Sequence, residues 1–411
     1  MKNFQWDRLA GIYRITIGCI FAALFYYLYL VASQLQIDYF DSFVNFLNAR
    51  AVGLRNGALY FWKPGPVWPL ILSPVFFIES FFPSTGLAFT ASHFVAVSFY
   101  GLLVFIFYKH LRLFFNTEIS LTGTLLFSLN PSLIHYAPFG KEDIPATFLT
   151  ALTFYLYLKS SSQRTLKNYW WVCLGITSSM AARYNLIPLL FAVIGSYEIF
   201  EKWMALASKK KSWADILNDL PRKFIFFAGL PLLLFFLIPV LLFPYLGISS
   251  VLNAPQKFIN YLLLQYKFNS TPEPASLAYV FMLRACTWPI LLLSAVGIVR
   301  GVLEKERRFL FYGLWLAIFF LYQTYLIGPK EVRYLFPLFP AFYFFVSLGA
   351  KTAWDLLHQK LNLPGITLKR AAVLGAMLLV MTILPLKKTV AVCTNFLNQV
   401  YPPDSLNNVS L

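Results

Sequence analysis

Long runs of uncharged, mostly apolar residues recur along this chain, and they constrain its fold more than any other feature. Two of them, residues 224–244 and 310–328, are each close to the ~20 residues that a helix needs to cross a hydrocarbon core. Inside lipid the backbone polar groups must be satisfied within the segment, so runs of this kind are helices. With 59% hydrophobic and only 12% charged residues, the chain is not an ordinary soluble domain.

These runs predict an all-α fold, a polytopic transmembrane bundle that forms one domain over residues 1–411. We place about eleven spans, with a twelfth left open. They lie near residues 12–33, 86–108, 119–136, 144–158, 168–182, 184–199, 224–244, 279–299, 310–327, 334–350 and 371–386.

The basic residues give this bundle an orientation. Lysine and arginine number 34 against 17 acidic residues, an excess that could also indicate nucleic-acid binding. More than half of them fall in connections on the same side as the N-terminus, as the positive-inside rule expects for cytoplasmic loops. We therefore predict an integral, multi-pass protein whose partner is the lipid bilayer and not nucleic acid, in a bacterial plasma membrane rather than the endoplasmic reticulum.

Two further features follow from keeping the basic loops on one side. Residues 67–82 are apolar, but a crossing there would invert every later loop, so we expect juxtamembrane helices within a first outer loop at residues 34–82. An even number of crossings is also needed around Arg183, which predicts a broken hairpin that turns at this residue.

The predicted outer connections collect charged residues that could carry chemistry. The first outer loop contains Asp38, Asp41 and Lys63, and later turns contain Glu142-Asp143 and Lys330-Glu331-Val332-Arg333. Each group also has a plainer interpretation, as a solvated acid, a helix cap or an interfacial anchor. Charges at a membrane boundary and intramembrane charges such as Arg183 are costly without a partner, which favours a functional site.

The sequence resembles the GT-C membrane glycosyltransferases, which use polyprenyl- or dolichyl-phosphate sugars. That class includes protein O-mannosyltransferases and the aminoarabinose transferases of lipid A. Its members typically show an acid in the first outer loop, a Lys-Pro-Pro-like motif and a late Lys-Glu-x-Arg-Tyr-like turn. The matching stretches here are residues 41–57, 63–66 and 330–334, in the same order, and the resemblance covers most of the chain.

The resemblance implies an inverting transfer of a sugar from a polyprenyl- or dolichyl-phosphate donor at the outer face. Asp41 is then the base that deprotonates the acceptor. The class usually has Asp-Glu at this position, whereas this chain has Asp41-Ser42, so Asp38 stays an alternative. The remaining roles are donor-phosphate contacts by Lys63, Lys330, Arg333 and Arg183, and acceptor or orienting contacts by Glu142, Asp143 and Glu331.

No cofactor is required by this chemistry, because matched positive charge makes a phosphate a competent leaving group. The four cysteines lie far apart and predict no metal site, although the need for a divalent cation stays open. The main alternative function is a transporter or lipid flippase, which predicts inverted repeats and charges spread through the membrane depth. No repeat is evident, and the notable charges gather at one face.

Overall fold

The structure is a computed structural model, and it describes residues 2–35, 40–54, 65–82, 86–162, 165–208, 220–241, 256, 260, 274–304, 307–327, 331–360 and 387. The predicted span at 371–386 lies outside these residues, as do three predicted site residues, Asp38, Lys63 and Lys330.

The described part of the chain is helical. Its α-helices are α1 (Lys2–Gln34), α2 (Phe40–Leu54), α3 (Val67–Glu79), α4 (Leu87–Arg112), α5 (Thr117–Ser128), α6 (Pro131–Tyr136), α7 (Asp143–Ser162), α8 (Leu166–Ala182), α9 (Ile187–Ala207), α10 (Leu230–Leu241), α11 (Ser276–Ala285), α12 (Trp288–Glu304), α13 (Arg307–Leu321) and α14 (Phe339–Lys360). Short 3-10 helices cover Tyr184–Leu186 and Val332–Leu338, and π-helical turns cover Ile225–Gly229 and Tyr322–Leu326.

Five described segments are long and apolar enough to cross a membrane. They are Gly11–Gln34, Leu87–Arg112, Leu220–Ile238, Phe309–Leu326 and Val332–Leu356. Each contains or overlaps a predicted span, so the all-α, polytopic fold class is confirmed. The count of about eleven spans stays a prediction.

Two predicted continuous spans are broken in the structure, and polar or proline residues explain both breaks. Within 119–136, Asn130 ends α5 and caps α6, because its Oδ1 accepts hydrogen bonds from the backbone N–H groups of Ser132 and Leu133, both at 3.0 Å. Within 279–299, extended backbone at Cys286 separates α11 from α12, whose second residue is Pro289.

Helix α3 lies in the segment for which the sequence predicts a surface helix. Its 13 residues extend only about 20 Å, too short to cross a hydrocarbon core. Trp68, Leu72 and Phe76, four residues apart, are buried along one face. On this side Gly53 of α2 approaches so closely that an added Cβ would lie 2.6 Å from the carbonyl oxygen of Ser73. The exposed Phe77 and Ile78 face outward.

Helix α14 is the central helix of the described bundle, because small residues let its neighbours approach. A Cβ on Gly349 would lie 1.9 Å from the carbonyl oxygen of Leu293 in α12, and one on Gly297 would meet the carbonyl of Phe345 at the same distance. On another side, Gly123 of α5 packs against Ser347. Close helix contact through small residues is typical of membrane bundles. It fixes the position of the 3-10 helix that leads into α14.

Candidate active site

Arg333, on the 3-10 helix before α14, is the centre of a cluster of acids from distant parts of the chain. Its Nη1 lies 2.8 Å from Oδ2 of Asp41 and 3.7 Å from Oδ2 of Asp143. Its Nε and Nη2 both bond to Glu331, the latter at 3.0 Å. Arg333 is 7% exposed, and a buried guanidinium of this kind needs such partners.

Each carboxylate comes from the start of a different element. Asp41 lies in the first turn of α2 and Asp143 is the first residue of α7, positions where the helix dipole stabilises negative charge. Asp143 does more than stabilise the start of its helix. Its Oδ2 faces Arg333, and its Oδ1 pairs with Nη1 of Arg183. With Glu331, the structure therefore brings three predicted acids and two predicted cations together.

Arg183 lies where the sequence predicts a break between two helices. Helix α8 ends at Ala182, Arg183 is extended, and the 3-10 helix Tyr184–Leu186 leads into α9. The guanidinium of Arg183 lies 4.7 Å from the ring centroid of Tyr334, and that of Arg333 lies 5.3 Å from the same ring. The aromatic ring thus stabilises two buried cations at once.

Glu142 is connected to Asp41 through a residue that the sequence analysis missed. Nδ2 of Asn45, one helical turn after Asp41, donates to Oε2 of Glu142 at 2.8 Å and to the Asp41 carbonyl oxygen at 3.1 Å. Burial, and then the neighbouring carboxylate of Asp143, raise the pKa of Glu142. The only sequence signal for Asn45 is its spacing of four residues from Asp41 on a helix.

Replacing Glu142 by Gln tests this burial through the pH dependence of stability. Because the folded state raises the pKa of Glu142, its stabilising contribution is complete below the ordinary glutamate pKa and is lost as pH rises through the raised value. Glutamine keeps an oxygen for Asn45 and does not titrate. We expect the Tm of Glu142→Gln relative to the unmodified protein to increase between about pH 5 and 8. A difference that is constant with pH would contradict this assignment.

Lys141 and Trp68 also belong to this cluster, although the sequence analysis gave them no role. Lys141 is 4% exposed, and its Nζ lies 5.7 Å from the ring centroid of Tyr136. Burial, and then the charge of Arg333, lower its pKa. Nε1 of the fully buried Trp68 donates to the carbonyl oxygen of Gly140 at 2.7 Å. This bond fixes the turn before α7 to the first outer segment.

Gly65, in the motif that contains Lys63, is held next to Arg183. A Cβ at Gly65 would lie 2.1 Å from the carbonyl oxygen of Ala181 and 2.6 Å from that of Ala182. Only glycine allows this approach. The roles of Lys63, Lys330 and Asp38 stay predictions, since these residues lie outside the described part of the chain.

One family model matches part of the sequence. The match covers residues 71–218, and the family is described as dolichyl-phosphate-mannose-protein mannosyltransferase. The matched region includes Glu142, Asp143 and Arg183. Among curated proteins, no match to this sequence is found.

Solved structures share the fold at low sequence identity. ArnT from Cupriavidus metallidurans in the apo state matches with a TM-score of 0.59 at 13% identity, covering 84% of this chain and 62% of that protein. ArnT bound to undecaprenyl phosphate matches with a TM-score of 0.62 at 13% identity, covering 93% and 72%. The oligosaccharyltransferase AglB from Archaeoglobus fulgidus, in complex with an inhibitory peptide and a dolichol-phosphate, matches with a TM-score of 0.51 at 12% identity, covering 90% and 55%.

This chain thus spans between 55% and 72% of the length of these three structures. Identities this low establish the shared architecture of the helical bundle, and the family match adds a sequence relationship over residues 71–218. Together they show that this chain shares the fold of these structures and that its sequence is similar to the mannosyltransferase family over residues 71–218.

Proposed function

We propose that this protein transfers a sugar from a polyprenyl-phosphate donor to an acceptor at the outer or luminal membrane face. The observation that carries this proposal is the contact between Asp41 and Arg333, 292 residues apart, beside Asp143 and Arg183. A base for an acceptor proton and cations for a leaving phosphate thereby lie within one cluster. The lipid phosphates in the ArnT and AglB structures support this class of donor.

The proposed reaction is a single displacement with inversion at the anomeric carbon. Asp41 accepts the proton of the acceptor hydroxyl or amine while that heteroatom bonds to the anomeric carbon. The bond from this carbon to the phosphate oxygen breaks, and its electron pair stays on the lipid phosphate. Arg333, Arg183, Lys63 and Lys330 balance the resulting charge. Glu142 and Asp143 line the acceptor side, and Asp38 is the alternative base.

Glu331 occupies the part of Arg333 that a phosphate would bind. Its carboxylate takes the planar Nε and Nη2 edge of the guanidinium, the geometry by which arginine also grips phosphate oxygens. The Glu331 side chain is 43% exposed, against 17% for Asp41 and 1% for Asp143. Glu331 is therefore the partner that Arg333 exchanges for the donor, while the buried pairs keep it in place.

Replacing Glu331 by Gln should strengthen binding of polyprenyl phosphate, because a neutral amide competes less well for the guanidinium. We expect a dissociation constant about three- to tenfold lower, the effect of weakening one partly exposed charged hydrogen bond. Binding of radiolabelled undecaprenyl phosphate to purified protein measures it. The matched control is Glu304→Gln, which removes an acid from the surface pair with Arg300 and should change nothing. Weaker binding by Glu331→Gln would show that Glu331 supports the phosphate site.

The proposed reaction proceeds without a divalent cation. Asp41 and Asp143 could in principle share a metal ion, but the guanidinium of Arg333 lies between them and supplies positive charge there. Transfer should therefore continue after the purified protein is treated with EDTA. Loss of transfer in EDTA, with recovery on addition of Mg²⁺ or Mn²⁺, would contradict this.

Incubation of the purified protein with a radiolabelled polyprenyl-phosphate sugar tests the function itself. A panel of pentose and hexose donors is needed, with lipid, glycan and peptide acceptors. Release or transfer of label that depends on the protein supports the glycosyltransferase, whereas movement of intact donor between leaflets of proteoliposomes would support the carrier alternative. Within the glycosyltransferase proposal, we place the protein in a bacterial plasma membrane.

A further inference from the structure

A polar cavity lies at the other end of helix α7 from the Asp41 and Arg333 cluster. Asp143 begins α7, and the cavity begins at Tyr157 and reaches Ser161. At 1.5 Å per residue these positions are about 21 to 27 Å further along the helix, close to the thickness of a hydrocarbon core. The cavity therefore lies at the opposite membrane interface.

Exposed tryptophans mark the same level on the outside of the bundle. Trp170 and Trp171 of α8 and Trp203 of α9 are 42%, 51% and 63% exposed, near the ends of these helices that border the cavity. Tryptophan is enriched where a membrane protein meets the lipid headgroups. Because the cavity opens at the level of the lipid headgroups, we expect a lipid headgroup to bind in it.

The cavity has a volume of about 370 Å³, and the charges of the described residues that line it are balanced. Two acids, Glu198 and Glu201, and two bases, Lys159 and Lys223, contribute to its wall. The other lining residues are aromatic, aliphatic or hydroxylic, among them Tyr157, Tyr197 and Phe227. A volume of this size is within the range of ordinary ligand pockets.

A hydrogen-bonded network fixes one side of the cavity. The Glu198 carboxylate accepts a hydrogen bond from the Tyr157 hydroxyl at 2.8 Å and pairs with Nζ of Lys223 at 2.6 Å. The side chains of Glu198 and Lys223 are 16% and 12% exposed. Glu201 lies one helical turn further along α9, next to this preorganised pair. The wall thus presents fixed positive and negative groups a few ångströms apart.

We propose that this cavity binds the headgroup of an aminophospholipid such as phosphatidylethanolamine. The ammonium would bond to Glu201 and Glu198, and the phosphate to Lys159 and Lys223. A purely anionic headgroup meets two carboxylates, and a purely cationic one meets two lysines, whereas a zwitterion complements both. Carboxylates favour a primary ammonium over choline, which has no N–H to donate. The apolar part of the wall contacts the glycerol region.

Lipid competition on the full-length protein tests this site without reference to sugar transfer. Purified protein is incubated with equal amounts of phosphatidylethanolamine, phosphatidylcholine and phosphatidylglycerol, and retained lipid is counted by native mass spectrometry. We expect phosphatidylethanolamine to dominate. The isosteric Glu201→Gln should reduce its excess over phosphatidylcholine by about tenfold, the worth of one charge-assisted hydrogen bond. Lys159→Gln should weaken retention of both zwitterionic lipids.

The matched control is Glu118→Gln, which removes a 37% exposed glutamate that pairs with Arg14 and does not line the cavity. It should leave lipid preference unchanged. Equal retention of all three lipids, preference for phosphatidylglycerol, or an equal effect of Glu118→Gln and Glu201→Gln would each overturn the proposal. Since no sugar donor is present, this result is independent of the transferase assay at the Asp41 and Arg333 cluster.

Discussion

The variant Asp41→Asn is expected to lose sugar transfer while it still binds the lipid phosphate. Asparagine is nearly isosteric, and its oxygen can still accept the hydrogen bond that Arg333 donates at 2.8 Å. The cluster therefore keeps its geometry, but the amide cannot take the acceptor proton. General-base catalysis typically contributes about 10²- to 10⁴-fold to rate, and we expect transfer to fall by that factor.

Two measurements separate loss of transfer from loss of binding: the rate of label transfer and the affinity for undecaprenyl phosphate. The matched control is Asp355→Asn on α14. Asp355 is a partly exposed acid whose Oδ2 lies 3.2 Å from Nζ of Lys351. Full activity of Asp41→Asn would refute its role as base. If Asp38→Asn loses transfer instead, the alternative base in the same loop is the correct one.

The variant Arg333→Lys is expected to lose transfer even though it keeps a positive charge. The guanidinium contacts Asp41, Asp143 and Glu331 together, whereas an ammonium is a point charge that cannot reach all three. Removal of one preorganised group that stabilises developing charge typically costs about 10²- to 10³-fold in rate. We expect an effect of this size together with weaker binding of the lipid phosphate.

Stability provides a second readout for Arg333. Complete removal of its charge in Arg333→Leu leaves Asp41 and Asp143 without this partner, and breaking a buried pair typically costs about 3 to 5 kcal/mol. Arg333→Lys should lose less stability, because part of the charge pairing survives. The control is Arg300→Lys in the surface pair with Glu304, which makes the same arginine-to-lysine change outside the cluster. Near-normal transfer by Arg333→Lys would show that charge suffices and that the fork geometry is not needed.

The sequence by itself determined the class of fold and pointed to four charged residues that the structure places close together. Apolar runs of about twenty residues have one stable form in lipid, so the spans follow from local composition. Short motifs also identified Asp41, Asp143 and Arg333 as candidate site residues, and Arg183 was identified as a charge inside an apolar stretch, where an unpartnered charge is costly. These inferences rest on the free energy of placing each segment or charge in lipid, which depends on local sequence alone. The structure brings these four residues together.

Only the tertiary structure decided which charges are partners. The contact between Asp41 and Arg333 joins residues 292 positions apart, and no periodicity within α2 or the 3-10 helix specifies it. Asn45 and Trp68 were missed for the same reason: an asparagine and a tryptophan are ordinary helix residues until the packing places Glu142 and the Gly140 carbonyl beside them. The break at Asn130 was missed for a different reason: Asn-Pro is a local signal for a helix start, but an average of hydropathy over the segment does not register it. Hydrophobic patterns fix how much chain is buried in lipid, whereas the pairing of buried polar groups depends on how the helices pack.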